Sequence, residues 1–398
     1  MSEACVSTPT RPGSPSPSTA YSYAPLDASD AIRIITLLPA QSFEAPIHCQ
    51  IRRTTFFGSS YEALSYAWGS NYREISIKCN DQDLFVTPNL LRALKRLRPI
   101  VTSNIPNPKP VTLWVDAICI DQENQEERAH QVSIMKHVYQ RAVRVIVYLG
   151  EDVNFKDAAP SIQMLWLLDS PWYNRMWTLQ ESLLNANTIV THGETTLSLE
   201  ALELGFQSLP PSFRYNAAQK NAILRVQTTR AMRLELQEPQ LFGRHIGRIN
   251  GAVAYRLSRM LSLCQYFECG DPRDKVFAIL GLVDDLDSIT HTELNPDYST
   301  PVAEIYRRFA WFIITRQKSL RILHDVGITR RLEGLPSWVP DWSVSNPEGK
   351  LSRKLYRPRP DFFDRPSLKS VRRGDGWILI CKGFCFDTVA TCITTTRC

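Results

Sequence analysis

TLWVDAICIDQENQEERAHQVSIMKHVYQRAVRVIVYLG (112–150) sets two apolar runs on either side of a polar, acid-led stretch. TLWVDAICI (112–120) is nearly continuous in apolar residues, which fits a strand buried on both faces of a parallel sheet. DQENQEERAHQVSIMKHVYQRA (121–142) predicts a helix. Asp121 is placed to cap it, and Glu123, Glu126 and Glu127 complement its positive end. Ala129, Val132, Met135, Tyr139 and Ala142 form one apolar stripe along it. VRVIVYLG (143–150) is a second buried strand. Strand, helix, strand is the repeating unit of a parallel α/β sheet.

The pattern extends in both directions. Upstream, IRIITLLP (32–39) alternates and stops at proline, YEALSYAW (61–68) reads as another strand, and PNLLRALKRLR (88–98) carries Leu90, Leu91, Leu94 and Leu97 at helical spacing behind a first-turn proline. Downstream, SIQMLWLLDS (161–170) predicts a short helix, PWYNRMWTLQESLLNAN (171–187) a helix through its middle, and TIVTHG (188–193) the next strand. SLPPSF (208–213) is a linker signal. Helices are then expected over 215–236, 250–266, 272–283 and 301–317. DPRDKVFAILGL (271–282) reads as a well-capped core helix, with Asp271 as cap, Pro272 in the first turn and Gly281 as the stop. LPSWVPDWS (335–343) reads as an extended segment packed on a surface. The expected layout is a Ser/Pro-rich disordered tail at 1–25, an α/β domain at 26–205, a mainly helical region at 206–345 and a C-terminal segment at 346–398.

Composition narrows the function classes. The formal net charge is +6 and the pI near 8.8, with Lys and Arg spread along the chain. That is mild solubility charge, with only weak support for a nucleic-acid or membrane-surface partner. No apolar run reaches the length of a membrane span, and the N-terminus has no apolar signal-peptide core. Ten cysteines and seven histidines show neither CxxC nor HExxH spacing, so a reduced, cytoplasmic protein without a metal centre is expected. Cys381, Cys385, Cys392 and Cys398 crowd the C-terminus and read as free thiols. The chain lacks a P-loop, a GxGxxG and a GxSxG.

Chemistry-bearing residues gather at predicted strand ends, where open parallel sheets bind ligands. These are Ser65, Tyr66, Trp68, Gly69 and Ser70 after one strand, Asp116, Cys119 and Asp121 after another, and Arg175, Trp177 and Glu181 on the helix from 171. Trp177 and Glu181 are four apart and share a helix face. An indole beside a carboxylate can tune its ionisation. A core Trp177, with a Glu181 that pairs with Arg175 or caps a loop, fits the pattern alone slightly better. Asp116 alone reads as a strand-end hydrogen-bonder, and Cys119 as a buried, unreactive thiol.

YEALSYAWG (61–69), LWVDAICIDQENQEERAHQV (113–132) and RMWTLQE (175–181) together resemble the three sequence blocks of the HET (heterokaryon incompatibility) domain family of filamentous fungi. DPRDKVFAILGL, NPDYS (295–299) and LPSWVPDWS resemble the region that follows it in that family. The resemblance spans most of residues 22–343. It implies a role in non-self recognition and programmed cell death, with a protein partner in incompatibility. The HET domain is in turn similar to Toll/interleukin-1 receptor (TIR) domains, which implies a flavodoxin-like fold. TIR enzymes carry a catalytic glutamate in a W-C-L-x-E pattern. Here Trp177-Thr178-Leu179-Gln180-Glu181 matches it with Thr at the Cys position. The resemblance therefore implies Glu181 as a catalytic carboxylate and NAD or a related nucleotide as substrate. It further implies a nucleotide wall made by Ser65, Tyr66, Trp68, Gly69, Ser70, Asp116, Arg175 and Trp177. The other implied outcome is a non-catalytic, self-associating signalling module.

Overall fold

A computed structural model describes residues 20–69, 72–151, 155–209, 215–237, 249–283, 294–326, 332–344, 368–373 and 376–381. The chain divides into two compact units, one of residues 1–172 and 184–219, the other of residues 173–183 and 220–398.

The first unit is an α/β domain. Its strands are β1 (Ala31–Leu37), β2 (His48–Thr55), β3 (Glu62–Tyr66), β4 (Ile75–Cys79), β5 (Gln82–Val86), β6 (Val111–Trp114), β7 (Val145–Tyr148), β8 (Thr188–His192) and β9 (Thr195–Ser198). They form one nine-stranded sheet in the order β5-β4-β2-β1-β6-β3-β7-β8-β9. The centre, β6-β3-β7-β8, is parallel throughout. Counted along the chain, these four strands take the order 2-1-3-4, the beginning of the flavodoxin-like order. Both flanks are mixed. β1 pairs antiparallel with β2 and β6, β9 pairs antiparallel with β8, and β4 joins β2 in parallel and β5 in a hairpin. The helices are α1 (Pro88–Leu97), α2 (Asp116–Cys119), α3 (Gln125–Arg141), α4 (Pro160–Leu168) and α6 (Leu199–Gln207), with α5 (Thr178–Leu183) assigned to the other unit.

The apolar runs become the core for the reason their composition implies. Every residue of β7 is buried, as are Leu113 and Trp114 of β6 and Ala63, Leu64, Ser65 and Tyr66 of β3. Trp114 meets Tyr139 of α3 edge-on at 5.4 Å, and the Tyr61 hydroxyl donates to the Val138 carbonyl at 2.8 Å. Truncating a core aliphatic of this kind costs about 2–5 kcal/mol.

Three details differ from expectation. The run 112–120 is not one strand. It ends at Trp114 and turns into the single-turn α2, where the Asp116 carboxylate accepts the Ala117 amide at 2.7 Å. Asn124, not Asp121, caps α3, taking the Glu126 and Glu127 amides at 3.1 Å each. Glu127 bends back to accept the Asp121 amide at 2.8 Å, which keeps 121–124 out of the helix. The buried stripe of α3 is accordingly Gln131, Met135, Val138 and Tyr139, continued by Ala142, while Ala129 and Val132 are half-buried.

Residues 1–19 of the expected tail lie outside the described residues. Residues 20–25 run along the sheet, with Ala20 bridged to Asp83 and the Tyr21 amide on the Asp83 carbonyl at 2.9 Å.

The second unit is mainly helical. It contains α5, α7 (Ala217–Gln237, from Lys220 onward), α8 (Ile249–Leu263), α9 (Asp274–Leu280), α10 (Val302–Gln317) and a hairpin of β10 (Leu368–Arg373) and β11 (Gly376–Cys381). α8 and α10 pack through Val253, Leu257, Met260, Phe309 and Ile313, all buried. The DPRDKVFAILGL segment is a core helix that stops at Gly281 as read, but it starts at Asp274 with Arg273 at its N-cap, so Asp271 and Pro272 lie ahead of it and Asp271 does not cap it. Asp271 takes the Arg273 amide at 2.9 Å and both ends of its guanidinium at 2.9 and 2.7 Å, and Gly281 closes α9. Of the C-terminal cysteines, Cys381 ends β11, and Cys385, Cys392 and Cys398 lie outside the described residues. Among the described residues no helix is long and apolar enough to cross a membrane.

Candidate functional site

In the first unit the candidate residues cluster where β3 and β6 end. Strand geometry sends Ser65 and Tyr66 to opposite faces of the sheet. Both are 1% exposed. The Ser65 hydroxyl accepts the Trp172 indole N–H at 2.7 Å, and Tyr66 sits in register with Tyr148 of β7. Beyond Tyr66 the chain turns. Asn89 of α1 donates its amide to the Ala67 carbonyl at 2.6 Å. Gly69 holds φ +72, a left-handed conformation open to glycine and strained for other residues. Trp68 is half-buried and Gly69 exposed. The Trp68 indole N–H donates to Asp116 Oδ2 at 2.8 Å, and the Arg73 guanidinium lies 5.7 Å from the Trp68 ring centre. Asp116 is also fixed by the Ala117 amide and, through its carbonyl, by Gln122 Nε2 at 3.0 Å. The structure thus joins Trp68 to Asp116 directly. Ser70 lies outside the described residues.

Arg175, Trp177 and Glu181 are in the second unit. PWYN (171–174) is a 3-10 turn rather than the start of the helix, because 174–176 is drawn into a parallel bridge with Glu268. The Met176 amide reaches the Glu268 carbonyl at 2.8 Å, and the Glu268 amide reaches the Asn174 carbonyl at 2.5 Å. Arg225, 5% exposed, ties the segment down. Its guanidinium donates to the Tyr266 carbonyl at 2.9 and 2.6 Å and to Asn174 Oδ1, and faces Glu268 at 3.3 Å. Burial lowers the Arg225 pKa, with Glu268 opposing the shift. α5 then begins at Thr178, whose hydroxyl donates to the Arg175 carbonyl at 2.7 Å. The Glu181 amide bonds the Trp177 carbonyl at 3.3 Å, so the two residues are one helical turn apart as their spacing predicts. Trp177 is half-buried and Glu181 is 2% exposed.

Two residues that matter to this segment were not singled out from sequence. Gln180, 2% exposed, donates Nε2 to the Ala278 carbonyl of α9 at 2.9 Å. A Cβ on Gly281 would lie 2.7–2.9 Å from the Gln180 amide atoms. Gly281 is therefore required for close approach, while its own φ of −66 is open to any residue. The two sequence blocks RMWTLQE and DPRDKVFAILGL meet here. Only the conjunction of a glutamine in one and a glycine in the other hints at the contact.

The family model for the heterokaryon incompatibility protein (HET) matches residues 61–166. "Heterokaryon incompatibility protein 6, OR allele" of Neurospora crassa is 26% identical over 452 aligned residues, covering 91% of this chain and 65% of that protein. The chain thus spans just under two thirds of the length of this relative. No solved structure matches. The matched segment runs from Tyr61 at the start of β3 to Trp166 in α4, and so contains the Trp68–Asp116 pair and the parallel strands β3, β6 and β7. Residues 61–166 of this chain are accordingly similar to the HET family, the one that the sequence blocks resemble.

Proposed function

We propose that this chain is an incompatibility-type effector of fungal non-self recognition, and that it promotes cell death by hydrolysing NAD or a related nucleotide. The match to the HET family and to an incompatibility protein supports the first part. The second part rests on one observation, the helical turn that carries Trp177 and Glu181 in a W-x-L-x-E pattern. Cleavage of the nicotinamide–ribose bond builds positive charge at the anomeric carbon. The nicotinamide is already cationic and leaves neutral, so no general acid is needed. A single carboxylate, Glu181, stabilises the oxocarbenium-like state by opposite charge, as in glycosidases. In this reading the nucleotide-binding candidates of the first unit are Ser65, Tyr66, Trp68, Gly69, Ser70 and Asp116, and those beside Glu181 in the second unit are Arg175 and Trp177. Activity follows self-association, which keeps the dilute protein silent.

The test is nicotinamide release from NAD by the purified full chain, dilute and as a forced oligomer. Glu181→Gln keeps size and hydrogen bonding and removes the charge, with an expected loss of about a hundredfold in rate. Circular dichroism of the variant separates that loss from unfolding. A forced wild-type oligomer that releases no nicotinamide ends the enzymatic reading.

A second reading has its own observation. Glu181 is 2% exposed, as a structural carboxylate would be. The chain would then act as a non-catalytic, self-associating module, and Glu181→Gln would still kill cells on overexpression whenever it folds.

A further inference from the structure

The first unit contains three buried cysteines, Cys49, Cys79 and Cys119, and the mechanism uses none of them. Cys49 of β2 and Cys79 of β4 are direct register partners in a parallel pair. Paired residues on neighbouring strands point to the same face, and the strands lie about 4.8 Å apart. A disulfide needs a Cα separation of about 4.4–6.8 Å, so the backbone already meets this requirement. Both thiols are buried, at 3% and 0% exposed, and both are reduced. Cys119 is also buried but is engaged otherwise, its sulfur accepting the Val115 amide at 3.3 Å.

The two partners are not equivalent. The Cys49 thiol donates toward the Cys79 sulfur. That contact, with the Ile51 amide, lowers the Cys79 pKa against the effect of burial, while the same contact and burial raise that of Cys49. Thiolate is the reactive form of cysteine, and the contact with Cys49 favours it at Cys79.

A thin strap lies beside the thiols. Residues 20–25 are held by the Tyr21 amide on the Asp83 carbonyl at 2.9 Å, the Tyr23 hydroxyl on the Ile118 carbonyl at 2.9 Å, and two carbonyls that accept from Arg33 and Arg53. Burial pushes the Tyr21 phenol up to about 12, and Cys79, Cys119 and Cys49 add to the shift while Arg33 opposes it. Such a single-layer segment opens locally at low cost compared with the sheet beneath it.

We propose that Cys49 and Cys79 are a redox-active thiol pair that hydrogen peroxide closes into a cross-strand disulfide, stapling β2 to β4 beside the 20–25 strap. The Cys79 thiolate attacks one peroxide oxygen, the O–O bond breaks, and hydroxide leaves as Cys79 becomes a sulfenic acid. The Cys49 sulfur then attacks the Cys79 sulfur. Hydroxide departs and takes up the Cys49 proton to form water. In total, two thiols and one peroxide give one disulfide and two waters, with two electrons passing from sulfur to oxygen.

The experiment uses the full wild-type chain, so no substitution has to fold. Reduced protein is treated with hydrogen peroxide, denatured with excess iodoacetamide to block the remaining thiols, digested and weighed. The expected product links the peptides of Cys49 and Cys79 at two hydrogen masses below their sum. It disappears with dithiothreitol, and the peptide of Cys119 remains alkylated. Tyr23→Ala, which loosens the strap, is expected to raise the rate of linkage severalfold. In Cys49→Ser, Cys79 is expected to run on to the sulfinic acid. Two wild-type outcomes overturn the proposal: Cys49 and Cys79 both alkylated after Cys269, a half-buried thiol of the second unit, has oxidised, or Cys79 over-oxidised beside an intact Cys49. A Tyr23→Ala rate equal to wild type overturns the role of the strap.

Discussion

Arg33 is 2% exposed in the middle of β1, and everything around it answers its charge. Glu127 takes two of its N–H groups at 2.6 and 2.9 Å, the carbonyls of Ala24 and Cys119 take others at 2.6 and 3.1 Å, and the Tyr23 ring lies 4.9 Å away. Burial alone would raise the Glu127 pKa. The hydrogen bonds and charge of Arg33 outweigh it and hold the carboxyl below its ordinary 4.5. A depressed acid stabilises the fold above its unfolded value and loses that contribution as the pH falls through the folded one. Glu127→Gln is therefore expected to cost about 3 kcal/mol at neutral pH, because it strands a buried guanidinium. The penalty should shrink below pH 4.5 as wild-type Glu127 itself becomes neutral. Urea midpoints of both proteins at neutral and acid pH test this, and equal penalties at the two pH values would refute it. The sequence shows Glu127 as one acid among several at a helix start. Its partner lies far upstream in the chain, and no local pattern could have chosen it over Glu123 or Glu126.

Elements with strong periodicity were legible and those defined by pairing were not. β1, β7, β8, α1 and α4 follow from apolar runs or helical spacing, within a few residues of their true ends, and β6 is found where its apolar run begins but stops six residues before that run does. β2, β4, β5 and β9 were missed. β2 is HCQIRRTT, charged or polar at six of its eight positions, and is a strand because β1 and β4 flank it. One signal for the β4–β5 hairpin was present. Asn80 and Asp81 both take positive φ, 49 and 64, the two-residue turn that such residues favour. At the candidate site, the i, i+4 spacing of Trp177 and Glu181 was readable, whereas the burial of Glu181 depends on tertiary packing. The same holds for the seat of α5 on α9. Gly281→Ala would drive a methyl to within 2.9 Å of the Gln180 amide and is expected to destabilise by about 1–3 kcal/mol. Adding Gln180→Ala should return most of the steric part, so a double-mutant cycle should show strong coupling. Additive costs would mean that the two residues do not bear on each other.

At the scale of the whole molecule, the chain crosses between its two units after Trp172, after Leu183 and after Gln219. The strand–helix alternation of a parallel sheet and the helical run after residue 215 could be foreseen from the sequence. This exchange could not, since 171–187 sits between two predicted elements of the sheet domain. It has a consequence for dissection. A fragment of residues 1–219 contains the whole nine-stranded sheet, the HET match and every candidate site residue. It lacks Ala278, Glu268 and Arg225, which hold 174–180 through backbone pairing and hydrogen bonds. Met176 and Leu179, both 0% exposed in the full chain, would lose the unit that buries them. In that fragment, hydrogen exchange should remain slow in β3, β6 and β7 and become fast across 173–183, because α5 is too short to persist alone. Nicotinamide release, if the full chain shows it, should be lost even though Glu181 is present, and supplying residues 220–398 in trans should restore both protection and activity. Slow exchange across 173–183 in the isolated fragment would show that the segment needs nothing from the second unit, and the assignment of α5 to that unit would then fail.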